Sequence, residues 1–209
     1  MSASGVRRPG AAGMARMAGA SRRRRTARQA DLLARLVDLL AAEGFAEFTL
    51  DDLAARLRCS KTTLYALAPS KPELVVAATR EFFRVATAAV EDGIADESDP
   101  AHRVVAYLRG VGVALTPLSR AFMDDLARFA PAREVYELNT GYAAARIRTL
   151  IGAGIAAGAL REVNADFVAE MVAATMFEIQ RGEMFARLEL SDAQAYAELA
   201  RFVTDALAL

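Results

Sequence analysis

Apolar residues recur three and four positions apart along most of the chain after residue 26, which is the spacing of one face of an α-helix. The alternation of apolar and polar residues that is typical of a β-strand is missing. The pattern therefore predicts an all-α protein of about nine helices. The first helix is expected from about Thr26 to Glu43, with Gly44 placed to end it.

Three further helices near the N-terminus have clear start signals. Thr49, Ser60 and Ser70 are residue types that cap a helix N-terminus, and Pro72 suits the first turn of a helix. Only three residues separate the second helix from the third, so these two must cross steeply, as in a helix-turn-helix motif. The predicted helices span about Leu50–Leu57, Lys61–Leu67 and residues 71–92.

The remaining helical segments predict a bundle. Pro117 and Pro131 mark breaks between helices, and Gly158 suits the end of a long one. Ser191 is an N-cap candidate, with Gln194 positioned to complete a capping box. The predicted helices cover about 100–115, 117–129, 132–157, 164–188 and 191–207.

Charge is divided unevenly along a chain whose formal net charge is zero. Residues 1–80 contain 14 Lys and Arg against 7 Asp and Glu, a net charge of +7. Residues 81–209 contain 12 against 19, a net charge of −7. The division indicates a basic module that faces a polyanion, joined to an acidic module with another task.

Composition argues against metal, disulfide and enzyme chemistry. Cys59 is the only cysteine and His102 the only histidine, so neither an internal disulfide nor a Cys/His metal site can form. The sequence has no Gly-x-Ser-x-Gly turn and no pair of Glu-x-x-His motifs, so we predict neither an enzyme nor a cofactor. The longest uncharged apolar stretch, Thr149–Leu160, is too short to cross a bilayer, and we expect a cytoplasmic protein.

Residues 1–24 predict a disordered basic arm. The first 30 residues hold eight arginines and no acidic residue. Arg16 interrupts their apolar stretch and no apolar core follows Arg22–Arg25, so an export signal or a transit peptide fits poorly. A translation start at Met14 or Met17 is an alternative for the first twenty residues.

Three ordered motifs lie within residues 26–74, namely GFAEFTLDDLA at 44–54, CSKTTLY at 59–65 and PSKPEL at 69–74. Together they resemble the DNA-binding domain of TetR-type transcriptional regulators. The resemblance implies a helix-turn-helix domain over residues 25–70, whose helix from Lys61 reads bases in the major groove. It also implies double-stranded operator DNA and a second copy of the chain as partners.

The resemblance places ten residues at the DNA. Thr49 would begin the bracing helix near a phosphate, Tyr65 would pack along the backbone, and Lys71 would contact a phosphate at a helix N-terminus. Arg58 stands in the turn where the family often has glycine, so either it is left-handed or the turn differs. The arm would reach the minor groove. The implied contacts are Arg24, Arg25, Thr49, Arg58, Ser60, Lys61, Thr62, Thr63, Tyr65 and Lys71.

Residues 71–209 have two expected tasks, dimerisation and ligand binding. The resemblance assigns dimerisation to the last two helices, because the two half-sites of an operator need two DNA-binding domains related by a two-fold axis. Aromatic and methionine side chains with few polar groups predict a pocket for an apolar molecule, although each alone also fits ordinary core packing. The candidate lining residues are Phe82, Tyr107, Val111, Phe122, Met123, Leu126, Tyr136, Asn139, Tyr142, Met171, Thr175 and Glu178.

We therefore expect a ligand-responsive repressor that binds a palindromic operator as a homodimer and is released by a small apolar molecule. The ligand would pivot the long fourth helix, which links the DNA end to the bundle. The alternative is an effector-independent or architectural DNA-binding protein without a small-molecule pocket. A fully packed bundle would favour this alternative, and an internal apolar cavity would favour the repressor.

Overall fold

The computed structural model describes residues 26–182, 187–190 and 192–209. Within these ranges the chain forms nine α-helices and no β-strand, which confirms the predicted all-α fold. None of these helices is both long and apolar enough to cross a membrane. They are α1 (Ala27–Glu43), α2 (Leu50–Arg56), α3 (Lys61–Tyr65), α4 (Lys71–Ile94), α5 (Pro100–Leu115), α6 (Arg120–Arg128), α7 (Ala130–Ala156), α8 (Ala165–Arg181) and α9 (Asp192–Leu207).

Thr49, Ser60 and Ser70 cap their helices as predicted, and Thr26, expected only as the first residue of α1, is also a cap. The hydroxyls of Thr26 and Thr49 each accept a hydrogen bond from the backbone N–H of the residue three positions on, Gln29 and Asp52. The side chains of Gln29 and Asp52 in turn accept a hydrogen bond from the backbone N–H of the capping residue. The hydroxyls of Ser60 and Ser70 cap α3 and α4 through the same N–H position. These local bonds fix where α1 to α4 start.

The third helix, α3, ends at Tyr65, two residues earlier than the sequence pattern predicts. The Leu67 N–H bonds to the Leu64 carbonyl, three rather than four residues back, so the chain tightens into a turn. Pro69 follows, and a proline disfavours helical geometry in the residue before it. Helix α3, the reading helix, is therefore little more than one turn long.

Two helices at the start of the bundle begin at other residues than predicted. The Ser119 hydroxyl accepts the Phe122 N–H at 3.1 Å, so α6 begins at Arg120 rather than at 117. The seventh helix begins at Ala130 rather than at 132, because Pro131 fits its first turn, where a missing N–H costs no hydrogen bond. The start of α6 therefore depends on a side-chain cap, whereas α7 begins with its proline in the first turn and without a side-chain cap bond.

The eighth helix ends earlier than the predicted residue 188. Gly182 has a left-handed φ of 76°, and its N–H bonds back into α8, so the helix ends at Arg181. The predicted cap at Ser191 lies outside the described residues, as do the predicted arm and its Arg24 and Arg25.

Two hydrophobic clusters organise the described chain. The first joins α1, α2 and α3 to the first half of α4, to α6 and to the start of α7. The second joins the later part of α4 to α5, α7, α8 and α9. The long α4 therefore belongs to both clusters. The division at residue 70 stays a prediction, and the first cluster extends past it to Leu74, Val75 and Phe83.

Candidate nucleic-acid interface and internal cavities

A pair of backbone hydrogen bonds closes the turn between α2 and α3. The Cys59 N–H bonds to the Ala54 carbonyl at 2.9 Å, and the Arg58 N–H bonds to the Ala55 carbonyl at 3.1 Å. This is the Schellman arrangement, in which the residue at the position of Arg58 has a positive φ and is usually glycine. Arg58 has a φ of 51°, so the left-handed arginine is the observed one of the two expected possibilities. Its side chain is exposed.

The reading helix buries one side chain and exposes its polar ones. Leu64 is fully buried and holds α3 on the first hydrophobic cluster. Lys61 and Thr62 are exposed, and Tyr65 presents 46% of its surface to solvent. The turn that the sequence assigns to base reading is therefore accessible, as a surface that enters a DNA groove must be.

Three hydroxyl groups predicted at the DNA already serve the protein's own caps. The Ser60 hydroxyl accepts the Thr63 N–H at 3.1 Å and lies 2.8 Å from the Thr63 hydroxyl. The Thr49 hydroxyl donates to the Asp52 carboxylate at 2.6 Å, and hydrogen bonds from Thr49 lower the pKa of Asp52. A phosphate contact by these hydroxyls would have to share the same atoms, so their DNA role stays a prediction.

Both lysines of the chain have partners within the first domain. Lys61 Nζ lies 2.7 Å from the Asp51 carboxylate, whose hydrogen bond and negative charge raise the pKa of Lys61. Lys71 Nζ donates to the Ala46 carbonyl at 2.9 Å. An ammonium carries three donors, so each lysine retains hydrogen-bonding capacity for a phosphate.

Helix α6 fastens the loop after α1 to the bundle. One carboxylate oxygen of Asp125 accepts both the Phe45 N–H at 2.6 Å and the Ala46 N–H at 2.8 Å. The Phe45 ring packs edge-on against Phe122 with 5.7 Å between centroids. Gly44 is required beside them, because its φ is 79° and a Cβ would lie 2.7 Å from the same Asp125 oxygen. The loop cannot keep these contacts if α6 moves alone.

An inner cavity of about 180 Å³ lies between α4, α5, α7 and α8. Its wall is mainly apolar, with Phe83, Val90 and Met176 among the lining residues. At the edge of the cavity Arg146 forms a bidentate ion pair with Glu91, in which Nε and Nη2 of the arginine donate to the two carboxylate oxygens at 2.9 and 2.7 Å. The predicted ligand residues that line this cavity are Tyr107, Val111, Tyr136, Asn139 and Tyr142.

An outer cavity of about 520 Å³ lies between α6, α7 and α8. It is lined by several arginines and acidic residues, and the predicted residues Met123, Leu126 and Glu178 contribute to its wall. Tyr136 and Gln180 line both the outer and the inner cavity. These two side chains therefore form a common wall between the cavities.

The common wall carries two buried polar atoms without hydrogen-bond partners. Neither the Tyr136 hydroxyl nor the side-chain oxygen of Gln180 has a partner at normal hydrogen-bond geometry. The Gln180 amide nitrogen donates to the Tyr196 hydroxyl at 2.9 Å. Burial raises the pKa of Tyr136 far above the ordinary value for tyrosine, although the Thr140 side chain is near enough to lower it slightly, so its hydroxyl keeps its proton. Burial likewise raises the pKa of Tyr107 to about 12.

Four predicted pocket residues lie elsewhere. Phe82 and Phe122 pack in or against the first hydrophobic cluster, and Met171 and Thr175 face a groove on the bundle surface. Sequence reasoning in turn missed Phe83, Met176 and Gln180. The buried face of α4 could have been recognised from the sequence. The residues Thr79, Phe83, Val90 and Ile94 lie on one face of a helix by their spacing, and all four are buried.

An apolar groove of about 700 Å³ runs between α8 and α9. Three large side chains along it are more than half exposed, Phe167 at 64%, Met171 at 52% and Phe202 at 72%. Leu199 and Val203 of α9 complete its floor. A contiguous apolar surface of this kind is unusual on a lone protein and is typical of a surface that another molecule covers.

Comparison with known proteins gives one family profile, over residues 32–78, and several solved structures of similar fold. The sequence profile described as bacterial regulatory proteins, tetR family, matches residues 32–78. No curated protein matches the chain. A chain from Saccharomonospora viridis in complex with choline is 17% identical, with 87% of this chain and 98% of that chain covered and a TM-score of 0.71.

Two structures of TetR regulators are also similar to this chain, at low sequence identity and over most of both chains. One from Agrobacterium tumefaciens is 18% identical over 87% of this chain and 97% of that chain, with a TM-score of 0.66. One from Chloroflexus aurantiacus is 24% identical over 87% of this chain and 96% of that chain, with a TM-score of 0.65. At these identities the likeness shows the fold. Residues 32–78 therefore match the tetR-family profile, and the chain as a whole is similar in fold to solved TetR regulators.

Proposed function

We propose that the chain is a ligand-responsive repressor that binds a palindromic operator as a homodimer. The observation that carries the proposal is that one chain combines an exposed polar reading helix with a mainly apolar cavity between α4, α5, α7 and α8, and that α4 belongs to the packing around both. A helix-turn-helix of residues 25–70 would bind DNA, and residues 71–209 would dimerise and bind the ligand. Such a regulator would act in the cytoplasm, where it meets chromosomal DNA.

At the DNA we assign two kinds of contact. Lys61, Thr62 and Thr63 would face base edges in the major groove, while Tyr65 and Lys71 would position the domain on the phosphates. Thr49, Arg58 and Ser60 would add contacts around the turn, and Arg24 and Arg25 would reach the neighbouring minor groove. The acidic bundle, at −7 over residues 81–209, would disfavour docking of any other face on DNA.

The test of DNA recognition is selection of bound sequences from randomised duplexes, followed by footprinting on the enriched site. The proposal expects an inverted repeat with half-sites about one helical turn apart. Binding without sequence preference would overturn the repressor and favour the architectural alternative. That alternative has less support, because the bundle contains the inner cavity rather than closed packing.

Replacing Lys71 by methionine should weaken operator binding at every sequence by a similar factor. The change removes one positive charge from the start of α4 while it keeps the side chain's length. We expect the slope of log affinity against log salt to fall by about one per subunit. Arg109→Met is the matched control, since Arg109 is an exposed cation on α5. Equal salt slopes for Lys71→Met and the unchanged protein would exclude the phosphate contact.

Replacing Arg58 by glycine should stabilise the protein and weaken DNA binding at the same time. A non-glycine residue with positive φ costs about 1 kcal/mol, so thermal unfolding should shift upward by about 3 °C. Loss of the guanidinium should remove one phosphate contact. Arg58→Ala separates the two effects, because it loses the charge but keeps the strained φ of 51°. A stability gain in Arg58→Ala equal to that of Arg58→Gly would refute the strain argument.

Dimerisation is assigned to the apolar groove between α8 and α9. A second copy related by a two-fold axis would bring the same groove to face this one, so that Phe167, Met171 and Phe202 of both chains are covered. The resulting four-helix contact would set the distance between the two reading helices. Met171 and Thr175, predicted as ligand residues, would then serve the dimer.

Ligand in the inner cavity would act on the DNA end through two helices. Phe83 and Val90 of α4 line the cavity, while Lys71 begins the same helix at the proposed DNA face. Helix α6 lines the outer cavity and holds the loop at Phe45 through Asp125. A ligand that fits only one arrangement of α4 and α6 would favour one spacing of the reading helices, which is what release from the operator requires.

A further inference from the structure

Two buried polar atoms in the wall shared by the two cavities lack hydrogen-bond partners. Tyr136 and Gln180 are 4% and 6% exposed, and the Tyr136 hydroxyl and the Gln180 side-chain oxygen have no partner. Buried polar atoms in folded proteins are nearly always paired, since an unpaired one loses the hydrogen bonds it made with water. The Tyr136 hydroxyl can donate a hydrogen bond, whereas the Gln180 side-chain oxygen can only accept one. Their common position at two cavities points to a missing ligand group.

We propose that the effector is a neutral amphipathic molecule whose polar group, a hydroxyl or a carboxamide, bonds to Tyr136 and Gln180 while its apolar body fills the inner cavity. This inference rests on the proposed ligand-binding function and names the chemical class that the site takes. The Tyr136 hydroxyl donates to the oxygen of the ligand group. The N–H or O–H of the same group donates to the Gln180 oxygen.

Hydrogen bonding excludes a carboxylate head group, and burial of charge disfavours an ammonium. A carboxylate accepts from Tyr136 but offers no hydrogen to Gln180. An ammonium can donate to both oxygens, but its burial costs free energy because every acidic residue that lines the two cavities is already paired with an arginine. Most charged residues that line the two cavities form ion pairs with each other, while Arg128 at the outer cavity forms none within the described part of the chain. Arg146 pairs with Glu91 at the inner cavity, and ion pairs at the outer cavity join Arg120 to Asp124, Arg133 to Glu137 and Arg181 to Glu178.

The size and chemistry of the inner cavity define the rest of the molecule. Phe83, Val90, Val111, Leu115 and Met176 line it, and none of them offers a conventional hydrogen-bond donor. An apolar chain or ring therefore gains by leaving water there. The volume of about 180 Å³ fits a medium-length chain, with room for a longer tail only through the common wall into the outer cavity.

The experiment compares four probes with one eight-carbon chain, octan-1-ol, octanamide, octanoate and octylammonium, by calorimetry on the full chain. Octanol and octanamide should bind at least about tenfold more tightly than the two ions, because octanoate leaves the Gln180 oxygen unpaired and octylammonium buries a charge without a counter-ion. Tyr136→Phe should weaken octanol binding about tenfold. Thr149→Val, which removes a hydroxyl from the solvent side of the same helix, should leave octanol binding unchanged.

A second measurement separates a ligand contact from a structural role. Without ligand, Tyr136→Phe should unfold at the same or a higher temperature, because it removes a buried hydroxyl that has no partner. Equal affinities for all four probes, unchanged octanol binding in Tyr136→Phe, or a lower unfolding temperature of that variant would each overturn the proposal. Octanol binding that leaves operator affinity unchanged would support the proposed chemistry and refute ligand-controlled release, so the two failures are distinguishable.

Discussion

Replacing Phe202 by glutamate is expected to convert the proposed dimer into monomers and to remove most operator binding. Phe202 is 72% exposed in the single chain and lines the apolar groove between α8 and α9. Burial of a phenylalanine is worth about 2 kcal/mol, and a two-fold axis counts the substitution twice. The dimer dissociation constant should therefore rise about 1000-fold, as measured by sedimentation equilibrium.

The control for this prediction is Leu138→Glu. Leu138 is a similarly exposed apolar residue, at 58%, but it lies on α7 outside the groove. The variant should remain dimeric and keep its operator affinity. If Phe202→Glu also remained dimeric at micromolar concentration, the dimer would have to use another face. Loss of the dimer with full operator affinity would instead show that one reading helix suffices.

The N-terminal domain could be predicted closely because its signals are local. Thr49, Ser60 and Ser70 each fix a helix start through a bond from an N–H three residues on, and all three were predicted as caps, whereas Thr26 was expected only as the first residue of its helix. The left-handed Arg58 was one of two expected possibilities for the same reason. The early end of the reading helix depended on the pairing of Leu67 with Leu64, which apolar spacing does not reveal.

The cavities were predicted less well because a helix face must be assigned to within one residue. The choice of Phe82 on α4 missed the buried stripe by one position, since Phe83 lines the inner cavity and Phe82 does not. On α8 the predicted Met171 and Thr175 face the groove, while Met176 faces the cavity. One residue is a rotation of about 100° on a helix, which exchanges interior for surface.

Contacts between distant segments left no signal in the sequence. The pairing of Asp125 with the Phe45 and Ala46 N–H groups joins residues about eighty positions apart, and a carboxylate on a polar helix reads as a solvated residue. The ion pair of Lys61 with Asp51 also crosses two helices, and it changes the charge that the reading helix presents before DNA arrives. Only the folded chain shows that these groups meet.

Replacing Asp125 by alanine is expected to lower the free energy of unfolding by about 3 kcal/mol, the largest loss from a polar residue that we foresee. The carboxylate accepts two backbone N–H groups at 2.6 and 2.8 Å, and hydrogen bonds to a charged group contribute about 1.5 to 3 kcal/mol each. Chemical denaturation measures the total. Hydrogen exchange of the Phe45 and Ala46 amides should accelerate, because the substitution removes the one oxygen that accepts both N–H groups.

Two further variants test whether the effect belongs to this contact. Asp125→Asn keeps an acceptor without the charge and should lose about half as much stability. Asp124→Ala removes the neighbouring carboxylate, whose ion pair with Arg120 at 3.4 Å is exposed and contributes at most about 1 kcal/mol. Equal losses for Asp124→Ala and Asp125→Ala would deny the contact any special role. If the Asp125 contact couples the cavities to the DNA end, a ligand that releases the unchanged protein from its operator should have little effect on operator binding by Asp125→Ala. The reason is that α6 could then move without the loop at Phe45 and Ala46.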